Sequence, residues 1–343
     1  MIQSLQSLRG IFALFIFFHH FSFTPWGEIV FGAGGDSGVA FFFVLSGFVL
    51  MLSYTTKLKK GKPEDPLGIF IGKRLSKIYP LHLLCFVYFI TAYGVGLNKC
   101  NILNPVLLQS WIPLSDVFFS GNAVGWCLSD FLFFYIMFPF LAPRLNRNPR
   151  GFIFTFICLS VIYILLIIPF IPEKYVLGIV YVNPATRLLD FMLGMILCAF
   201  FLKIDNQKHN TNKAAKEICA TVFLVLTIII WYYIPTRWQM SFLWWPCMSM
   251  IVIAFSLGGG SKIMKNKLLV AFGDISFTFY LIHVLVFETF DKVMEKLGIE
   301  VNLYIRFIAI LTITVFAAYL ISKYFVNPIE KAIRKRLPRP ANN

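Results

Sequence analysis

The chain is built from apolar runs about as long as a bilayer is thick, repeated from end to end. That repetition leaves few folds open to it. A spanning helix needs about 20 mostly apolar residues. Ten segments qualify: roughly 9–24, 38–54, 78–97, 126–145, 151–170, 185–202, 214–234, 242–257, 268–288 and 303–326, the second and eighth being short. Pro, Gly, Asn and Lys clusters separate them. Composition agrees: 58% of residues are hydrophobic, 14% are charged, and the mean hydropathy is +0.76. A soluble domain carries about 25% charged residues. The expected fold is an all-α polytopic membrane protein of about ten transmembrane helices. No appended soluble domain is visible, so residues 1–343 read as one membrane-embedded domain.

The formal net charge of +15 has a topological cause. Of 31 Lys and Arg residues, 24 fall on one set of alternating segments, 6 on the other, and Arg306 lies inside the last run. The densest loop carries Lys57, Lys59, Lys60, Lys62, Lys73, Arg74 and Lys77, and the tail carries Lys331, Arg334, Lys335, Arg336 and Arg339. Lys208 belongs to the same set. Cytoplasmic loops are enriched in Lys and Arg. Both termini are therefore expected in the cytoplasm, and a nucleic-acid partner is not indicated. The 7 cysteines are scattered, mostly within apolar runs, with no CxxC pair and no Cys/His metal spacing. Neither a disulfide framework nor a metal site is expected. The first run lacks a lysine-rich lead and a small-residue cleavage site, so it reads as a retained span.

That first run, SLRGIFALFIFFHHF, begins with an arginine and ends near two histidines. Arg9 and His20 are eleven residues apart, which is three helical turns plus about 20°. Both point to the same side, about 16 Å apart along the axis. His19 is rotated by about 100° and reads as structural or interfacial. The plain alternative for His20 is a packed histidine with one hydrogen bond. Ionisable groups inside a membrane are costly and mark pathways or sites, which favours a functional one. The same topology puts Asp130, Arg187 and His283 at a similar depth, in the outer half, which suggests a polar chamber open to the outer face. A simple pair of Arg187 with Asp190, at i,i+3, is the plain alternative there. Ser46 lies near mid-depth. On the basic side, Arg74 and Lys77 are also i,i+3 and suggest a phosphate site, with Pro80 near the start of the third span.

Six segments, in order, resemble acyltransferase family 3 membrane proteins, which acylate surface polysaccharides and related acceptors. LRGIFALFIFFHHF resembles the first-helix motif, an arginine, ten residues and a histidine, and lands on Arg9 and His20. GVAFFFVLSGFVL resembles the second-helix Ser-Gly-Phe signature. RLSKIYP resembles Arg-x-x-Arg-Ile-Tyr-Pro, with Lys77 in place of the second arginine. WCLSDFLFFYIMFP resembles Trp-Ser-Leu-Ser-x-Glu-x-x-Phe-Tyr-x-x-Phe-Pro, but the family's glutamate falls on Phe131, beside Asp130. RLLDFMLG and ISFTFYLIH resemble Arg-x-x-x-Phe-x-x-Gly and Ile-Ser-Tyr-x-x-Tyr-Leu-x-His. Asn327 stands where many members have an acidic residue before proline.

The resemblance implies a multi-pass protein of the cell membrane and a cytosolic acyl-CoA co-substrate, most often acetyl-CoA, with no permanently bound cofactor. On that reading Arg9, Arg74 and Lys77 take the phosphates. His20 is the general base on an acceptor hydroxyl of a surface glycan or its lipid-linked precursor, since imidazole titrates near neutrality. Transient acyl transfer to His20 stays open. Arg9 and Asp130 support catalysis, Asp130 or His283 orienting the base, while Trp126, Arg187, His283 and Ser46 face the acceptor. A flippase for a lipid-linked glycan, or an inactive relative in which Phe131 has removed the acid, are the alternatives.

Overall fold

The computed structural model describes residues 2–21, 32–61, 65–205, 213–257 and 261–338. The expected end of the first span at Thr24, and the basic residues Lys62, Lys208 and Arg339, lie outside the described residues. Each of the ten apolar segments holds a helix: α1 Gln3–His20, α2 Gly34–Lys59, α3 Leu67–Tyr93, α4 Ala123–Arg147, α5 Pro149–Phe170, α6 Glu173–Ile204, α7 Ala215–Tyr233, α8 Ser241–Ser256, α9 Lys267–Leu297 and α10 Leu303–Arg336. Eight of these are long and apolar enough to cross a membrane. The other two are α1, where Gln3, Ser4, Gln6, Ser7 and Arg9 dilute the first turns, and the shorter α8.

The third span differs most from the sequence expectation. It starts at Leu67, so the basic stretch with Lys73, Arg74 and Lys77 is helical. Pro80 consequently sits in the helix interior, not near its start. The helix ends at Tyr93 because Gly94 takes the left-handed conformation, φ +62°, that closes a helix C-terminus.

Helix α2 lies at the centre, packed on α6 and α1, while α1 also packs along α9. In a membrane, helices associate by close packing of small residues. Gly47 faces the carbonyl of Phe191, and Gly194 faces that of Val44, both nearer than a Cβ could approach. Replacing Gly194 by Val is therefore expected to part α2 from α6. The check is a lower Tm and reduced folded yield in detergent, a destabilisation of about 1–3 kcal/mol or more.

Large apolar side chains face outward on α5, α7 and α10, among them Phe154, Leu165, Val222, Ile229, Ile308 and Phe316. Water would penalise so continuous an apolar surface, whereas lipid accepts it. The protein is a multi-pass membrane protein.

Candidate active site

A cavity of about 220 Å³ opens at the basic end of the bundle and runs inward between α1, α2, α3, α4 and α9. On α2, Leu45 borders it and Val39, Phe42, Phe43, Ser46, Val49 and Leu50 form most of its wall. Their spacing is that of one helical stripe, and it extends over about 16 Å. Arg9, Lys73, Arg74, Lys77 and Arg334 also line it, and Phe42 with Tyr280 lies towards its inner part. The Phe42 and Tyr280 rings are 6.3 Å apart, and Tyr280 Oη donates to the carbonyl of Val124 at 2.9 Å.

The five cations are not equivalent. Lys73 Nζ is 2.7 Å from Asp65 Oδ1, Arg334 is 2.7 Å from Glu330 Oε1, and Arg9 donates to Gln6 Oε1 at 3.3 Å. Among the described residues, Arg74 and Lys77 have no carboxylate partner. The Arg74 Nε is buried without a hydrogen bond, and its guanidinium lies 5.2 Å from the Phe70 ring. The cavity mouth thus holds two cations, one turn apart on α3, whose charge no carboxylate among the described residues balances.

Asp65 sets that difference. It bonds Lys57 Nζ at 2.8 Å as well as Lys73. Burial raises its pKa, but hydrogen bonds and charge from Lys57 and Lys73 outweigh this and leave it below the ordinary carboxylate value. A depressed folded value contributes stability above the unfolded pKa of about 3.9, and that contribution is lost as pH falls through the folded value. Asp65→Asn is thus expected to lower Tm at pH 7, with the gap from wild type closing on acidification below about pH 4. Thermal unfolding across pH measures this.

Arg9 and His20 lie on one continuous helix, as their spacing requires. Yet only Arg9 lines the cavity. Ala13 and Ile16 occupy the same stripe between them, each 1% exposed, and Ile16 packs where a Cβ on Gly38 would sit. The two groups therefore share a helix face without sharing a passage. His20, exposed at the end of α1, meets His283 instead: His20 Nδ1 is 3.2 Å from His283 Nε2. His283 is fully buried and stands one turn beyond Tyr280 on α9.

The expected single chamber resolves into two polar groups. Asp130 and Arg187 are fully buried away from the cavity, and no hydrogen bond among the described residues joins them to the histidine pair. Arg187 Nε is 3.0 Å from Asp190 Oδ2, which is the i,i+3 pair, and its guanidinium lies 4.9 Å from the Phe43 ring and 5.5 Å from Tyr181. Neither oxygen of Asp130 has a hydrogen-bond partner among the described residues. Phe131 lines the cavity in the place of the acidic side chain, as the 100° offset between neighbours requires. Trp126 is buried against Tyr181, ring centroids 4.9 Å apart, and does not line the cavity. Ser46 does, within the same cavity as the basic residues. Among the described residues, no three His, Cys, Asp or Glu side chains converge as metal ligands would.

Sequence reasoning did not single out Lys73, Tyr135 or Arg334. Tyr135 belongs to the FFYIMFP segment and lines the cavity. Arg334 reaches it from the last turns of α10, where it donates to the carbonyl of Lys73 at 3.2 Å. The available signal was the amphipathic pattern of IEKAIRKRL, which reads equally as a surface helix.

A family model described as an acyltransferase domain matches residues 2–323. The chain belongs to acyltransferase family 3. Acyltransferase MdmB of Streptomyces mycarofaciens is 24% identical over 335 residues, which cover 89% of this chain and 83% of that protein. Protein 2 in picA locus of Rhizobium radiobacter is 38% identical over 100 residues, 27% of this chain and 48% of that protein. Putative O-acetyltransferase SACOL0978 of Staphylococcus aureus (strain COL) is 25% identical over 363 residues, 96% of this chain and 57% of its own length. The chain thus spans little more than half of that staphylococcal relative. No solved structure matches. As a family 3 acyltransferase the protein is an enzyme with an acyl donor, an acceptor and a membrane setting. The flippase alternative gives way to this assignment.

Proposed function

We infer that the protein is an O-acyltransferase, in the first instance an O-acetyltransferase, of the cell membrane. It moves the acyl group of a cytosolic acyl-CoA to a hydroxyl of a cell-surface polysaccharide or its lipid-linked precursor. The observation that carries this reading is the cavity whose mouth holds Arg74 and Lys77 unpaired and whose interior is an apolar sleeve. A donor with phosphates at one end and a long, thin thioester arm at the other suits both parts. The staphylococcal relative's name, O-acetyltransferase, supports the acyl class. The Lys and Arg bias supports a cytoplasmic mouth.

In this mechanism the phosphates sit on Arg74 and Lys77, with Arg9 at the rim. The thioester lies up the sleeve beside Ser46. His20 takes the proton of the acceptor hydroxyl as its oxygen attacks the thioester carbon. Because the cavity ends short of His20, the side chains packed beyond it, Ile16 among them, must shift for the thioester to reach it. Asp130 and Arg187 then act from behind the wall, and His283 and Trp126 from the acceptor side.

The test is chemical. Everted membrane vesicles containing the protein receive acetyl-CoA labelled in the acetyl group. Release of free CoA together with alkali-labile label on a glycan supports the reading. Label on no acceptor, with no CoA released beyond vesicles lacking the protein, sinks it and favours the inactive relative that Phe131 suggests.

A further inference from the structure

Both ring nitrogens of His283 are engaged. Its Nδ1 is 2.5 Å from the carbonyl oxygen of Tyr280, and its Nε2 is 3.2 Å from Nδ1 of His20. His20 Nδ1 is also 2.9 Å from the carbonyl oxygen of Ile16. A carbonyl oxygen only accepts, so each Nδ1 must carry a hydrogen. A neutral imidazole holds one ring hydrogen, which leaves Nε2 of His283 bare and able to accept. The hydrogen on Nδ1 in both rings satisfies all three contacts, with the single hydrogen of His20 Nδ1 shared between the carbonyl of Ile16 at 2.9 Å and Nε2 of His283 at 3.2 Å. The free lone pair of His20 is therefore on Nε2, the nitrogen turned away from α9.

The surroundings hold this arrangement in place. His283 is fully buried, with ring centroids of Phe17, Phe279 and Phe287 at 6.2, 6.4 and 5.9 Å. His19, the nearest other titratable ring to His20 at 5.1 Å, is tied through its own Nδ1 to the carbonyl of Gly32. It does not compete for His20 Nδ1.

We propose that His283 is the positioning residue for His20, accepting the Nδ1 hydrogen and so presenting Nε2 as the reacting nitrogen. This rests on His20 being the base of the proposed transfer. The acceptor hydroxyl gives its proton to Nε2 as the new carbon–oxygen bond forms. The carbon–sulfur bond then breaks, and the same proton goes from Nε2 to the leaving thiolate of CoA. While Nε2 is protonated the ring is cationic, and the bond from Nδ1 to His283 becomes charge-assisted and stronger. A neutral imidazole thus does for His20 what a carboxylate does in other catalytic triads.

The test compares three variants. His283→Gln places an amide oxygen near the position of Nε2. His283→Asn is too short to reach His20, and His283→Leu has no acceptor. The first readout is the ¹⁵N spectrum of histidine-labelled protein in lipid nanodiscs, with the His20 signals assigned by their loss in His20→Ala. Wild type and His283→Gln should show Nδ1 protonated and Nε2 bare on His20, whereas in Asn and Leu, where the carbonyl of Ile16 is the one acceptor left to Nδ1, the share of the other tautomer should rise. The second is labelled acetyl transfer in vesicles. Leu and Asn should lower kcat by about 10- to 100-fold with KM for acetyl-CoA unchanged, and Gln should recover most of that loss. An unchanged His20 spectrum in His283→Leu, or a Leu variant as active as wild type, would overturn the proposal. If His20→Ala is inactive while His283→Leu is not, the positioning role alone falls. If His20→Ala stays active, the base assignment falls, and the tautomer spectrum still reports on the pair.

Discussion

His20→Ala is expected to lower acyl transfer by about 10²- to 10⁴-fold in kcat, the range over which a general base contributes. The loss should be chemical, not structural. His20 is exposed at the end of α1, and its ring contacts a carbonyl of its own helix and one ring of α9. Removing it opens no cavity in the aromatic core around Phe12 and Phe17, so membrane levels and Tm should stay near wild type. His19→Ala is the necessary comparison, because the two rings are neighbours with different work. His19 bonds the carbonyl of Gly32 at 2.7 Å and packs against Gly35 at the start of α2. Its removal should lower stability while leaving kcat within a few-fold. KM for acetyl-CoA should not change in either variant, since the proposed phosphate site is on Arg74 and Lys77 of α3, and Arg9 at its rim stands about 16 Å from His20 along α1. Normal acylation by His20→Ala protein at wild-type membrane levels would end its role as base or acyl carrier.

The two histidines also show where sequence reasoning reaches and where it stops. Helical period put Arg9 and His20 on one face, and one continuous helix carries them. The same period puts Ala13 and Ile16 there too, and it does not say which positions along a stripe border a void. That depends on how α2 and α9 pack against it. The contact between His20 and His283 spans 263 residues, and no spacing rule anticipates it. The Arg187–Asp190 pair was legible because i,i+3 neighbours meet on any helix. Asp130 pointing away from the position of Phe131 was legible for the same reason. Arg334 was not: its approach to Lys73 spans 261 residues, and its charge merges into a tail whose positive bias already has a topological cause. The third span shows a different failure. Lys73, Arg74 and Lys77 make its first turns polar, so hydropathy missed a helix that begins at Leu67.

Arg74→Ala combined with Lys77→Ala is expected to raise KM for acetyl-CoA by about 100-fold or more, with a much smaller change in kcat. Hydrogen bonds to charged groups contribute about 1.5–3 kcal/mol each, and every 1.4 kcal/mol is tenfold. Neither side chain makes an ion pair among the described residues, so their loss strands no carboxylate there and the fold should persist. The single variants separate charge from shape. Arg74→Lys keeps the charge but loses the planar fork that grips a phosphate at two points, so it should recover only part of the affinity. Lys77→Arg restores that fork and should bind acetyl-CoA at least as well as wild type. Arg334→Ala should have a smaller effect than either alanine substitution, because Glu330 already neutralises it at 2.7 Å. Salt sharpens the distinction: wild-type affinity should fall as ionic strength rises, and the double variant should respond less, since fewer charges remain to screen. Calorimetric binding of acetyl-CoA that is equal in wild type and double variant, at both low and high salt, would move the donor site away from α3. The unpaired state of these two cations would then have to be explained by something other than a phosphate.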